Sequence, residues 1–186
     1  MNIERALLTH GFMEEIELKY LAELASKSAS IAEVGSWRGR SACAFAENTT
    51  GTVYCTDTWQ DDAYGAVFPG DAPDLCQRPN WLWDEFKHNT SPYANIVPFR
   101  MTSLQGAAEA TRLGLTFDVV FVDAGHNYED VIGDINAWRP LLRPDGVLCG
   151  HDLYPDGPHH PGVLRAVNEL VGKYRIIGTL WTTESA

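Results

Sequence analysis

The sequence has few basic residues and no long apolar run. Lysine and arginine number 14 against 25 aspartate and glutamate residues, so the 186-residue chain carries a formal net charge of −11 at pH 7. Nucleic-acid affinity is built mainly from clustered basic side chains, and this balance argues against such a partner. No segment approaches the roughly 20 apolar residues of a membrane helix, and the first twelve residues lack the layout of a secretory signal. We expect no nucleic-acid or membrane partner.

Cysteine is also scarce, and its spacing does not indicate a metal site. The four cysteines show neither a CxxC motif nor a Cys/His spacing typical of zinc. Three of them lie in apolar runs, where a free thiol behaves as a small hydrophobic group. We interpret them as reduced core residues of a cytoplasmic protein, with a disulfide framework as the alternative. They are Cys43, Cys55, Cys76 and Cys149.

Short apolar segments alternate with helix-compatible segments along most of the chain. The predicted strands are SIAEVGS, TVYCTDTW, NIVPFRM, FDVVFVDAG, GVLCGHDL and a closing pair within YRIIGTLWTT. The predicted helices cover residues 13–27, 38–47, 81–89, 103–112, 128–142 and 162–173. This alternation predicts one α/β domain over residues 1–186, built on a Rossmann-like, doubly wound and mostly parallel sheet. We expect about seven strands, with an antiparallel strand at the C-terminal end.

Two segments stand apart from this alternation. Residues 1–27 are predicted to form an N-terminal helical cap, in which Ile16, Tyr20, Leu21 and Leu24 recur at helical spacing. The charged run MEEIELK in that cap is interpreted as a solvated helix face. Residues 60–80 are polar and rich in proline and glycine, and this stretch is too long for an ordinary connection. We interpret it as an insertion or lid.

The ends of the predicted strands hold the candidate binding residues, because ligands of parallel sheets bind at the carboxyl ends of the strands. EVGSWRG places Gly35 and Gly39 in a turn where a ligand can approach the backbone and a helix N-terminus offers N–H groups. A plain tight turn is the alternative. Asp57 follows Gly35 by 22 residues, a position suited to accept hydrogen bonds from ribose hydroxyls. The pattern indicates an adenosine-containing ligand, either a dinucleotide or S-adenosylmethionine.

Four segments together resemble small class I S-adenosylmethionine-dependent methyltransferases. They are EVGSWRGRSA, VYCTDTW, VVFVDAGHNYEDVIGDINAWRPLLRPDGVLCGHDL and PGVLRAVNEL, and they span residues from about 31 to 171. The resemblance implies that the methionine moiety and ribose are lined by the first segment, at Glu33, Gly35, Ser36 and Trp37.

The same resemblance implies roles at the next strand ends. Asp57 would hold the ribose hydroxyls, with Thr58 and Trp59 beside it. Ser103 would lie near the adenine, and Asp123 would lie close to the transferred methyl group. The glycine motif has two glycines where the commonest form of the family has three.

Two carboxylates and two histidines follow adjacent strands, in VDAGH and GHD. A hydroxyl acceptor reacts poorly at neutral pH unless it is deprotonated or bound to a metal. The arrangement resembles metal-dependent catechol-type O-methyltransferases, although His-Asp replaces their typical Asp-Asn. We expect Asp123 and Asp152, with His151, to bind a divalent cation such as Mg²⁺ or Mn²⁺. His126 would act as the general base; alternatively, His126 only begins a helix and His151 only satisfies a turn.

The sequence thus predicts S-adenosylmethionine-dependent methyl transfer to a small molecule, at a hydroxyl of a sugar or a phenol. An Asn-Pro-Pro-Tyr motif typical of enzymes that methylate base amines is absent from the fourth strand end. One alternative is an NAD(P)-dependent oxidoreductase, which shares the glycine turn and the ribose acid but needs a third glycine. Another is a catalytically silent binding module of the same fold. For so short a chain, a homodimer that completes the pocket is the alternative to a monomer.

Overall fold

A computed structural model describes residues 1–60, 79–157 and 159–183. Its sheet has seven strands in the order β3-β2-β1-β4-β5-β7-β6. Strands β1 to β5 are parallel to their neighbours, whereas β7 is antiparallel to both β5 and β6. The predicted fold class is therefore confirmed. The strands are β1 Ser30–Val34, β2 Thr52–Asp57, β3 Ile96–Arg100, β4 Phe117–Val122, β5 Leu142–Gly150, β6 Arg175–Ile177 and β7 Leu180–Thr182.

Helices connect the parallel strands and cover both faces of the sheet. Across the described ranges they are α1 Glu4–Leu8, α2 Glu15–Ser26, α3 Arg40–Asn48, α4 Trp81–Thr90, α5 Ser103–Arg112, α6 Tyr128–Trp138 and α7 Pro161–Leu170. One apolar core joins the sheet to α2, α3 and α4, and a second joins it to α5, α6 and α7. Near-continuous apolar strands are typical of sheets buried on both faces. The predicted lid at 60–80 falls mainly on residues 61–78, outside the described residues.

The strand order reverses at β1, and this reversal locates the site. Strand β1 pairs with β2 on one side and with β4 on the other, and Val34 is in register with Val122. Val122 is in turn in register with Gly150 at the end of β5. The residues that follow these three strands therefore meet at one edge, at the topological switch point where ligands of such sheets bind.

The fifth predicted helix, 128–142, is too long. The α-helix ends at Trp138, a single 3₁₀ turn covers Arg139–Leu141, and Leu142 already belongs to β5. Pro140 explains the difference, because its ring removes a backbone donor and clashes with the carbonyl of the preceding helical turn.

Helix α2 buries three of the four apolar residues that we predicted for its inward face, namely Tyr20, Leu21 and Leu24. Ile16 is 56% exposed, whereas Glu17 is only 1% exposed and lies against the protein interior. Leu18, Leu21 and Leu24 supply the apolar part of the buried face. The prediction that MEEIELK is a solvated helix face is therefore wrong at Glu17. This residue contacts His151, which belongs to the functional site.

The prediction that the cysteines are free core residues is confirmed for three of the four. Cys43, Cys55 and Cys149 are buried and form no disulfide, and Cys76 lies outside the described residues. In the described part of the chain, no helix is both long and apolar enough to cross a membrane.

Candidate active site

A cavity of about 440 Å³ opens at the carboxyl ends of β1, β2, β4 and β5. Eight of its lining residues were predicted as site residues: Gly35, Ser36, Trp37, Asp57, Asp123, His126, His151 and Asp152. The other described lining residues are Gly11, Phe12, Met13, Arg40, Ser41, Tyr154 and His160. The sheet thus brings together strand ends that are far apart in sequence.

Gly35 lies where the ends of β1 and β4 meet. Its φ is +91°, and a Cβ atom added there would stand 2.0 Å from the carbonyl oxygen of Asp123. Only glycine fits this backbone conformation and this close approach. Glycine is therefore required at position 35 by strand packing as well as by the open cavity beside it.

The carboxylate of Asp57 joins the turns that follow β1 and β2. Oδ2 accepts a hydrogen bond from the backbone N–H of Trp37 at 2.9 Å, and Oδ1 accepts one from that of Trp59 at 2.8 Å. Both tryptophans have left-handed backbones, with φ of 43° and 45°. A carboxylate offers about four lone-pair sites, and that of Asp57 borders the cavity.

Four predicted cofactor residues lie outside the described cavity walls, namely Glu33, Thr58, Trp59 and Ser103. Trp59 is fully buried and packs on Phe86, with ring centroids 4.4 Å apart. Ser103 accepts a hydrogen bond from the Trp138 indole at 3.0 Å and donates one to Asp134. Ser103 thus joins α5 to α6.

Glu33 lies next to the cavity without lining it. It is fully buried, and its carboxyl accepts a hydrogen bond from the hydroxyl of Ser36, which does line the cavity. Burial raises the pKa of Glu33 to about 7, and the hydrogen bond from Ser36 only partly opposes this shift. Glu33 therefore reaches the cavity wall only through Ser36.

The acids and histidines after β4 and β5 form one connected cluster. Nε2 of His126 lies 2.6 Å from Oδ2 of Asp152 and 4.0 Å from Oδ1 of Asp123. Nδ1 of His151 lies 3.4 Å from Oδ1 of Asp152 and 3.9 Å from Oδ1 of Asp123. Asp152 thus presents one oxygen to each imidazole, from a left-handed backbone with φ of 60°.

Burial and mutual charge shift the pKa values of the whole cluster. Burial raises the pKa of Asp123 to about 6, against the attraction of the two histidines. Burial would also raise the pKa of Asp152, but the contacts of both histidines lower it. Burial would lower the pKa of both histidines, but the carboxylates raise it instead, to about 11 for His151. Positive charge is therefore strongly stabilised between these acids.

The donor set fits a divalent cation. Asp123, His151 and Asp152 each offer one ligand atom, and these atoms lie within 4.8 Å of one another. The separations of 3.4 Å and 3.9 Å suit atoms that each stand about 2.1 Å from a common ion. His126, Asp152 and His160 form an overlapping group. In addition, the buried Nε2 of His126 has no hydrogen bond of normal geometry among the described residues, despite its short contact with Asp152.

The segment between α1 and α2 forms a wall that sequence reasoning missed. Phe12 stacks on Trp37, with ring centroids 5.5 Å apart and planes inclined by 14°. The guanidinium of Arg40 donates to the main-chain oxygens of Ala6, Thr9 and Met13 and so ties this segment to α3. No local sequence pattern signals these contacts. Glu17 was also missed: its carboxylate contacts Nε2 of His151, whereas Nδ1 of that ring faces Asp123 and Asp152.

Comparison of the sequence with known families shows the family of this chain. A family described as a methyltransferase domain matches residues 32–153, well over half of the chain. The chain belongs to this family. Membership argues against the oxidoreductase alternative, and the matched range contains the predicted strand ends from Glu33 to Asp152. A search among curated proteins found no match to this methyltransferase.

Solved structures share its fold. The O-methyltransferase TomG from Streptomyces achromogenes, in complex with S-adenosylmethionine, is 19% identical with a TM-score of 0.66, over 92% of this chain and 79% of that one. An O-methyltransferase from Bacillus cereus, in complex with S-adenosylhomocysteine, is 14% identical with a TM-score of 0.62, over 97% and 86%. CalS11, a TDP-rhamnose 3′-O-methyltransferase, is 18% identical with a TM-score of 0.58, over 89% and 76%.

Proposed function

We propose that this methyltransferase transfers the methyl group of S-adenosylmethionine to a hydroxyl of a small molecule. The observation that carries the proposal is the convergence of Gly35, Asp57 and Asp123 with His126 in one cavity. Structural neighbours of the same fold that hold S-adenosylmethionine or S-adenosylhomocysteine support the choice of cofactor. Their O-methyltransferase activity supports oxygen as the methylated atom.

The cofactor would lie along the ends of β1 and β2. Asp57 would accept hydrogen bonds from the ribose hydroxyls, and the Gly35–Trp37 turn would line the methionine moiety, with Ser36 held by Glu33. Asp123, at the adjacent end of β4, would lie near the transferred methyl group. Thr58, Trp59 and Ser103 would support the cofactor from outside the described cavity walls.

His126 is proposed as the general base. Its side chain is 38% exposed, so an acceptor can reach it. The acceptor oxygen attacks the methyl carbon in line, the bond from carbon to sulfur breaks, and S-adenosylhomocysteine leaves. His126 takes the proton of the hydroxyl, and Asp152 orients its ring and stabilises the resulting imidazolium. The residues thus supply alignment and proton removal, which are the main requirements of such a displacement.

Asp123, His151 and Asp152 are proposed to hold a divalent cation. When bound, the cation would make the hydroxyl of the acceptor more acidic. The buried carboxylate of Asp123, whose pKa burial raises, is the kind of group that a cation stabilises. Mg²⁺ and Mn²⁺ suit the two carboxylates, and the histidine also admits Zn²⁺ or Fe²⁺.

The acceptor is proposed to be small, either a sugar or a phenol. A cavity of about 440 Å³ is of the size that small-molecule sites use, roughly 300–1,000 Å³. The net charge of −11 disfavours nucleic acid. CalS11 supports a sugar, whereas the stacked rings of Phe12 and Trp37 would suit a flat phenol. The free buried thiols support a cytoplasmic site of action.

Calorimetric titration tests the proposal. We expect micromolar binding of S-adenosylhomocysteine, no binding of NAD, and methyl transfer to at least one member of a panel of sugars and phenols. Asp57→Asn should weaken S-adenosylhomocysteine about 10- to 150-fold, because a hydrogen bond to a charged group contributes about 1.5–3 kcal/mol. The surface variant Asp84→Asn is the matched control. Binding of NAD alone would overturn the proposal, and cofactor binding without any transfer would favour the silent binding module.

A further inference from the structure

Glu17 is a buried charged residue that the proposed reaction does not use. It lies in the first turn of α2 with only 1% of its surface exposed. Burying a carboxylate is costly unless it is paired and hydrogen-bonded. The residues that contact Glu17 therefore indicate its role.

Both oxygens of the Glu17 carboxylate are held by hydrogen bonds. Oε1 accepts from the backbone N–H of Thr179 at 2.7 Å and from its hydroxyl at 2.9 Å. Oε2 accepts from the backbone N–H of Glu14 at 2.7 Å. Gly178 permits this contact, because a Cβ atom there would lie 2.5 Å from Oε1. The carboxylate is thus fixed between α2 and the turn that joins β6 to β7.

The fixed carboxylate meets the imidazole of His151. Oε2 of Glu17 lies 3.3 Å from Nε2 of His151, and the Thr179 hydroxyl lies 3.0 Å from the same nitrogen. The other ring nitrogen, Nδ1, faces Asp152 and Asp123. A histidine that ligates a metal usually donates its second ring N–H to a carboxylate, which fixes both its tautomer and its orientation.

We propose that Glu17 is a positioning residue that holds Nε2 of His151 so that Nδ1 points at the cation site formed with Asp123 and Asp152. The inference rests on the cation site of the proposed function. It extends that site to α2 and to the turn between β6 and β7, which supply no ligand of their own. Glu17 does not line the cavity, so its effect on the acceptor and the cofactor is indirect.

Calorimetric titration of the 186-residue protein with Mn²⁺ alone tests this role. Glu17→Gln keeps the size of the side chain but places an amide against two donors, the Glu14 N–H and the His151 ring. We expect it to weaken Mn²⁺ about 10- to 100-fold, as is usual for a lost second carboxylate partner. Glu15→Gln on the same helix is the control, since Glu15 is exposed and pairs only with Lys19 among the described residues.

Affinity for S-adenosylhomocysteine separates a local effect from misfolding. Weaker Mn²⁺ binding by Glu17→Gln, with unchanged S-adenosylhomocysteine binding, supports the inference. Should Glu17→Gln fail to fold, Thr179→Val removes one partner of Glu17 and of His151 and should weaken Mn²⁺ several-fold.

Two results overturn the inference. One is that every folded variant among Glu17→Gln and Thr179→Val binds Mn²⁺ as tightly as Glu15→Gln does. The other is that the wild-type protein binds no Mn²⁺. If the wild-type protein still transfers methyl groups in the second case, the proposed methyl transfer stands while the role of Glu17 is refuted.

Discussion

The imidazole of His126 and the carboxylate of Asp152 meet across two neighbouring strand ends, with Nε2 and Oδ2 2.6 Å apart. Their contact follows from the register of β4 and β5, in which Val122 is opposite Gly150. Burial would lower the pKa of His126, but the contact and charge of Asp152 raise it. An acid that orients a histidine in this way makes it a stronger base.

His126→Gln tests the role of the base. We expect the single-turnover rate of methyl transfer to fall by about 10²- to 10⁴-fold, the usual contribution of a general base. The dissociation constant of S-adenosylhomocysteine should not change. His159→Gln, at an exposed position outside the cavity walls, should retain the wild-type rate. Equal rates for the two variants would remove His126 from the mechanism.

Removal of divalent metal should slow methyl transfer. The chelated protein is expected to lose most of its rate and to regain it with added Mg²⁺ or Mn²⁺, because the cation makes the hydroxyl of the acceptor more acidic. Asp152→Asn should show a reduced rate that added metal does not restore. If the chelated protein transfers methyl groups at the full rate, then the reaction needs no cation.

Gly35→Ala should be strongly destabilising. The new Cβ atom would need to occupy a point 2.0 Å from the Asp123 carbonyl, on a backbone with φ of +91°. Gly114→Ala is the matched control, because its φ is +67° but nothing lies within 4 Å of the added atom. Left-handed strain alone costs about 1–2 kcal/mol. We expect the free energy of unfolding, measured in urea, to fall by that amount in Gly114→Ala and by clearly more in Gly35→Ala. Equal losses would contradict the packing described for Gly35.

As the pH rises, the wild-type protein should lose stability relative to the variant Glu33→Gln. Burial raises the folded-state pKa of Glu33 from 4.5 to about 7, so the fold favours the neutral acid. The stabilising contribution of the protonated form is complete below about pH 4.5 and is lost as the pH rises through about 7. Glutamine imitates the neutral acid at every pH. Between pH 4.5 and 8 the free energy of unfolding of the wild type should therefore fall by about 3 kcal/mol relative to that of the variant, as measured by denaturant unfolding. A constant difference would show that Glu33 is ionised in the fold without cost.

The sheet could be predicted because its evidence is local. Each parallel strand is a short apolar run, and Asp57, Asp123 and Asp152 follow such runs directly. In a parallel sheet these positions meet at one edge whatever the rest of the chain does. The end of α6 was predicted four residues too late, at Leu142 and not at Trp138, although Pro140 marks it in the sequence.

Other parts of the site depend on contacts between distant residues. Glu17 sits in a charged run that reads as solvated, and its burial depends on His151, 134 residues away, and on Thr179, 162 residues away. Ser103 follows a strand as predicted, but Trp138 and Asp134 on α6 engage its hydroxyl. Such partners are set by how helices pack, which the spacing of one segment does not reveal.

Arg40 holds the wall formed by residues 11–13 through main-chain oxygens alone. This anchor does not use the side chain of Phe12, which borders the cavity and is 60% exposed, whereas Met13 is buried in the core. Replacing Phe12 changes the shape offered to an incoming molecule while the bonds from Arg40 persist. A saturation library at position 12 can therefore alter selectivity for the acceptor and leave the backbone of the wall in place.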